Sequence, residues 1–268
     1  MPSVYKAFSI IFAISLAVLI VIRFECYRLP GISKILPQSF QDPIQTPTDN
    51  IPLNPERKDG KFLYEVVPMH DYELFGVVAS KHLSQHDIGM YDHAAAGDHL
   101  NSMDLCVIWG ENIRSGVYRK MKFSNDDWSC QASFKRGTTQ ADWKLFNGAE
   151  FSNNHLLPGN FNVDETLAAI KPGDQIHLRG KLVRYKRTGS EGNYRGSSTL
   201  RTDTGNGACE IIYVTGAKIL KPANEVCRII YDILKIFVLG LGSVLIIHYL
   251  GLKQILQEWL TKEAASSS

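Results

Sequence analysis

The chain has 268 residues, with 29 Lys and Arg set against 27 Asp and Glu, so no global field draws it to nucleic acid or to an acidic surface. Length alone admits one large domain or two small ones. Apolar residues gather at the two ends while the middle is polar and rich in Asn, Asp, Gly and Ser, which predicts a single domain, residues 61–221, held between apolar segments.

At the amino end, Ala7 to Ile22 is uncharged, and the run reaches 4–24 when Val4 and Phe24 sit in the interface. That matches the roughly 20 residues needed to cross a bilayer core of about 30 Å. A cleaved signal wants small residues before the cut; Arg23-Phe24-Glu25-Cys26 offers none, so the segment reads as an uncleaved anchor. Glu25 also argues against lipid attachment at Cys26. Residues 25–60 follow, with Pro37, Pro43, Pro47, Pro52 and Pro55 among Gln, Asp and Thr and no apolar period, so an extended tether is expected.

From Phe62 onward, short β-branched or aromatic runs bounded by Gly, Pro, Asn or Asp predict strands at Phe62–Val67, Tyr72–Ser80, Asp104–Trp109, Tyr118–Ser124, Trp128–Phe134, Gln175–Tyr185 and Cys209–Leu220. Between Ser80 and Asp104 no period is sustained, and residues 82–102 read as an irregular, mobile loop. One short helix is expected from Glu165 to Ile170, opened by Asp164 and stopped by Lys171-Pro172-Gly173-Asp174. Gly180 marks a bulge or bend. The expected fold is therefore mainly β, a small barrel or sandwich with one short helix, between two transmembrane helices.

The second span is predicted at 227–250, with Asp232 and Lys235 three apart, where they can pair and snorkel. Beyond it, 251–264 places Leu252, Ile255, Leu256, Trp259 and Leu260 on one face of an amphipathic helix. That helix suits the membrane surface or a protein partner. Partners expected are thus the lipid bilayer and a protein met through 251–264 or the domain loops, with no nucleic acid. Arg23, Arg28, Lys34, Lys218, Lys221 and Arg228 against Lys6, Lys253 and Lys262 lean the domain toward the cytoplasm, although a short positive tail before the first helix argues the reverse and leaves the side open.

Five cysteines bear on the same question. In an oxidising compartment Cys106, Cys130 and Cys209 could supply one bridge, and Cys26 and Cys227 could clip the two anchors together; in the cytoplasm all would be reduced.

Two polar clusters stand out: Phe151-Ser152-Asn153-Asn154-His155-Leu156-Leu157-Pro158, and Ser197 to Glu210 with its Gly-rich turn. Together with Asp104-Leu105 and Trp109-Gly110 they carry a resemblance. Asn153 to Pro158 matches Asn-x-His-Leu-x-Pro, and Arg201 to Glu210 matches Arg-x-Asp-Thr-Gly-x-Gly-Ala-Cys-Glu. Over most of residues 64–220 the chain resembles a family of bacterial membrane-anchored proteins to which no activity is attached. The resemblance implies a bacterial inner-membrane location and supplies no reaction.

Chemically, Cys209, His155 and Asp203 are the parts of a nucleophile, a base and an orienter, with the amides of Gly205 to Ala208 as an oxyanion hole. Asn153, Asn154, Arg201 and Asp203 are the candidate ligand-binding residues. The plainer reading has His155 capping a loop, Arg201 paired with Asp203, and Cys209 a small buried hydrophobe. His82, His86, His93 and His99 lack ordered metal-ligand spacing, so no metal and no cofactor is expected. Three functions remain: a membrane-tethered binding or scaffold module, a membrane-bound hydrolase using Cys209, His155 and Asp203, and a subunit of a larger membrane assembly.

Overall fold

A computed structural model describes residues 3–53, 63–84, 98–126, 128–189, 193–205 and 207–266, the side chains of 3, 252 and 255–266 excepted. The chain divides into two compact units, residues 1–28 with 224–268, and 29–223.

The first unit is a pair of long helices, α1 (Ser3–Cys26) and α5 (Glu225–Ser266). Both are long and apolar enough to cross a membrane, over Val4–Cys26 and Glu225–Gly251. They run antiparallel: Tyr5 stacks on His248 at 3.4 Å between ring centroids, Arg23 donates to the Tyr231 hydroxyl at 3.3 Å, and Cys26 is bridged to Cys227. Gly242 lets this pair close, since a Cβ there would meet the Phe12 ring at 3.2 Å. Lys235 pairs with Asp232, as their spacing predicts. The separate helix expected at 251–264 is instead the continuation of α5 without a break, because no Pro or capping residue interrupts the backbone after Leu250. The docking face proposed for it lies outside the described side chains.

The second unit is a mixed, sheet-rich fold. Its strands are β1 (Ile44–Pro47), β2 (Tyr64–Leu83), β3 (Met103–Ile108), β4 (Met121–Asn125), β5 (Cys130–Phe134), β6 (Phe151–Pro158), β7 (Gln175–Arg187), β8 (Arg195–Gly196) and β9 (Glu210–Lys221). Seven of them bond in the order β1-β2-β3-β6-β9-β7-β8, β2 also pairs with β7, and β4-β5 is a separate hairpin. All described neighbours in the large sheet are antiparallel except β6 and β9.

Several expected elements differ in physically instructive ways. The strands expected at Phe62–Val67 and Tyr72–Ser80 are one strand, because a register shift between Pro68 and His70 absorbs the proline. The start of the expected Tyr118–Ser124 strand is a tight turn, Val117–Lys120, entered through Gly116 at φ 75°. Short helices α2 (Gly110–Arg114) and α3 (Gln140–Trp143) join α4 (Phe161–Ala169), which begins earlier than expected because the Asn160 side chain, not Asp164, accepts from Val163 N at 3.0 Å. At the other end Lys81 Nζ donates to the carbonyls of Leu167, Ala168 and Ile170, satisfying orphan acceptors of that helix.

The Pro-rich stretch is not a free tether over its described part. Ile35 and Ser39 are buried, Leu36 N donates to Gln175 Oε1 at 2.6 Å, Gln175 Nε2 donates to Lys34 O, and β1 pairs with β2. An extended backbone carries unpaired donors and acceptors, and here a sheet edge and a glutamine take them up. Likewise His82 and Leu83 belong to β2, and Leu100 and Asn101 are buried, so the ends of the expected loop are ordered; 85–97, with His86 and His93, lie outside the described residues.

Alternation sorts the side chains. Tyr72, Leu74, Leu105, Val107, Trp109, Leu156, Ile176, Leu178, Leu182, Ile212 and Val214 form the main core. The opposite faces carry two smaller clusters, one around Tyr64, Leu157, Tyr185 and Ile211 and one around Cys106, Ile108, Ile113 and Tyr118.

Candidate functional site

The segment 151–158, expected as a loop, is the interior strand β6, buried from Ser152 to Leu157. A strand so polar can be buried only if every donor and acceptor meets another polar group. Its neighbours supply most of them, the side-chain oxygen of Asn154 being the exception among the described residues. In register, Asp104 faces His155, Leu105 faces Asn154 and Cys106 faces Asn153 on one side, while Glu210 faces Asn154 on the other. Asp104-Leu105, Asn153 to Pro158 and Glu210, one part of each motif segment, thus lie on adjacent strands.

On the outer face, His155 is 2% exposed and its Nδ1 lies 2.7 Å from Asp104 Oδ1, which also accepts from Asn101 Nδ2. Its Nε2 lies 3.0 Å from an Arg195 guanidinium nitrogen and 3.3 Å from Asn153 Nδ2. Because Arg195 can only donate, Nε2 is the acceptor in that contact and Nδ1 is left to donate to Asp104. Arg195 is itself fixed by Asp98 at 2.9 Å, beside the Tyr185 hydroxyl that donates to the same carboxylate, and by the Trp128 ring. Asn153 donates to Trp128 O at 2.9 Å and approaches Cys209 Sγ at 3.9 Å. Burial pushes the Cys209 thiol up, with Glu210 and Asp104 adding to it and Asn153 and Arg195 opposing.

Asp203 is not the orienter of His155. Its carboxylate accepts from Ser198 Oγ at 2.6 Å, and Asp104 holds the imidazole. Nor does Arg201 join Asp203 in the pair the plainer reading expects: it donates to Ala149 O at 3.1 Å, lies over the Trp109 ring at 5.0 Å and reaches Asp42 at 3.8 Å, while Trp109 Nε1 donates to that same Asp42.

Arg201 and Glu210 belong to the inner face. Glu210 is raised to about 8, chiefly by burial, with Asp203 adding to it and Arg201 and Ser152 opposing. Asn154, wholly buried, donates to Leu105 O at 3.1 Å and to Ser152 Oγ at 2.8 Å. Tyr72 completes this polar end of the core; burial first, then Glu210, hold its phenol well above the ordinary range. Gly110, at φ 59°, is required because a Cβ would strike the Glu150 carboxylate, which accepts from Glu111 N and Asn112 N.

Comparison with protein-family models, with curated proteins and with solved structures found no match.

The two polar segments therefore meet, but as paired strands and not as a cleft. A groove of about 450 Å³ lies elsewhere, over β7 and β9, lined by Asp71, His177, Arg179, Lys181, Thr215 and Lys218 among others. Its floor is Gly180 and Gly216. A Cβ at Gly180 would come within 2.1 Å of Tyr213 O, and the register shift between Arg179 and Gly180 is the bulge the sequence predicts there. Lys181 pairs with Asp71 at 2.6 Å and His177 with Glu73 at 2.6 Å, while Arg179 and Lys218 pair with no carboxylate among the described residues. Reasoning from sequence missed Asp104, Arg195 and this groove. Asp104 stands in a quoted motif, whereas cross-strand rows such as His177 opposite Lys218 exist only once register is known.

Proposed function

We propose that the protein is a membrane-tethered binding module, anchored by both apolar helices, whose β-domain takes an acidic ligand or partner near the bilayer. The observation that carries this reading is the groove over β7 and β9, where Asp71 is already engaged by Lys181, His177 is paired with Glu73, and Arg179 and Lys218 are left to meet an incoming anion. The ring of pairings β2-β3-β6-β9-β7-β2 supports a closed small barrel as the scaffold. The bridges Cys26–Cys227 and Cys106–Cys130 support an oxidising side for the domain, against the lean of the charge count.

The hydrolase reading is disfavoured. A base must have a free lone pair, and the one on His155 is met by Arg195. A photo-reactive residue at Gly216 tests the binding reading in cells. A discrete adduct is expected, lost when Arg179 and Lys218 are both changed to Glu; the same adducts in wild type and in the double variant would contradict it.

A further inference from the structure

We propose that Cys106, Cys130 and Cys209 form a three-sulfur exchange centre, in which Cys130 moves its bridge between the cysteines on either side of Asn153. The placement comes from register. Cys106 on β3 lies opposite Asn153 on β6, and Asn154 opposite Glu210 puts Cys209 beside Asn153 on the other flank. Adjacent strands lie about 4.8 Å apart, so the two flanking cysteines stand one strand to each side of the amide. Cys130 sits over the middle: its Sγ is 3.2 Å from Asn153 Oδ1, while Asn153 Nδ2 is 3.9 Å from Cys209 Sγ. One amide thus touches both the bridged sulfur and the free thiol.

The carrier of Cys130 can follow such a move. It belongs to the β4-β5 hairpin, a two-stranded sheet whose ladder bonds do not enter the large sheet. Cys209 directly precedes β9 and is partly exposed, so its approach breaks no ladder bond.

In the exchange, Cys209 loses its proton to solvent and its thiolate attacks Cys130 Sγ. A Cys130–Cys209 bond forms, the Cys106–Cys130 bond breaks, and Cys106 leaves as a thiolate that takes up a proton. Nothing is oxidised or reduced overall. Burial first, and then Glu210 and Asp104, disfavour the thiolate of the attacking sulfur, while Asn153 and Arg195 favour it. Since the thiolate is the nucleophile, exchange accelerates as pH rises. The result is that the hairpin is clamped to β9 instead of β3.

The test uses the full chain in detergent micelles, incubated at pH 6 and pH 9 without added thiol, quenched in acid, alkylated and mapped by mass spectrometry. At pH 6 the expected species is Cys106–Cys130 with Cys209 alkylated. At pH 9 the initial rate at which a Cys130–Cys209 peptide with alkylated Cys106 appears should exceed that at pH 6 at least about tenfold, following thiolate fraction. Cys106→Ser, oxidised with diamide, should close Cys130–Cys209. Mixed isotope-labelled and unlabelled chains should give no cross-labelled bridge. The proposal is overturned if only Cys106–Cys130 is found at both pH values and Cys130 and Cys209 stay alkylatable in Cys106→Ser, or if the new bridge is cross-labelled.

Discussion

Replacing Glu210 by Gln should stabilise the domain in alkali and leave it nearly unchanged in acid. The carboxyl is raised from the ordinary 4.5 to about 8 by burial, so the folded state holds a proton that the unfolded state has released between those values. Its contribution is fully present below pH 4.5, falls as pH rises toward about 8, and is constant above that. At about 1.36 kcal/mol per pH unit, the full interval corresponds to about 5 kcal/mol. Gln keeps the shape and removes the charge, so it has no such loss. For a domain of this size each kcal/mol moves Tm by roughly 2 to 4 °C, which makes the plateau difference about 10 to 20 °C. Thermal unfolding of wild type and Glu210→Gln, in the same micelles from pH 5 to pH 9, gives the difference directly, and other titrating groups cancel in it. A gap that does not widen with pH, or a variant less stable than wild type at pH 9, would refute the reasoning.

Three further outcomes are expected. His155→Ala should cost about 1 to 3 kcal/mol, since it strips buried Asp104 of its imidazole partner while the Asn101 amide still donates to it, whereas Cys209→Ser should cost less than about 1 kcal/mol; melting curves of both variants decide. Gly180→Ala should lower Tm steeply or prevent folding while Gly216→Ala is tolerated, because the added carbon meets Tyr213 O in the first case and only Arg179 Cβ at 4.0 Å in the second. A protease site engineered at Leu63, cut in the intact protein, should leave two fragments joined on a non-reducing gel and separated by reductant or by Cys26→Ser, as the Cys26–Cys227 bridge requires.

What the sequence disclosed and what it hid follow the same physics. The two apolar runs were legible because membrane spans need only length and apolarity, and β7 and β9 because their flanking Gly, Pro and Asp punctuate a continuous apolar period. Strand β6 was hidden: polarity at Asn153, Asn154 and His155 mimics a loop, and only Asp104, Glu210 and Arg195, distant in sequence, make its burial affordable. The same long-range pairing misdirected the candidate site. Asp203 is the aspartate nearest to Cys209 along the chain, yet register delivers Asp104 to His155 and leaves Asp203 with Ser198. The pairing of Cys26 with Cys227 was readable from their places beside the two spans, while the choice among Cys106, Cys130 and Cys209 needed the fold.

The central claim, a module held by two spans with its domain on the oxidising side, is tested most directly by protease protection in spheroplasts. One epitope is inserted at the exposed turn Thr188-Gly189 and one is placed at each terminus. The antiparallel helix pair and the two bridges predict that the inserted epitope is digested while both terminal epitopes survive until the membrane is dissolved. Terminal epitopes digested with the inserted one protected, or termini on opposite sides, would contradict the account.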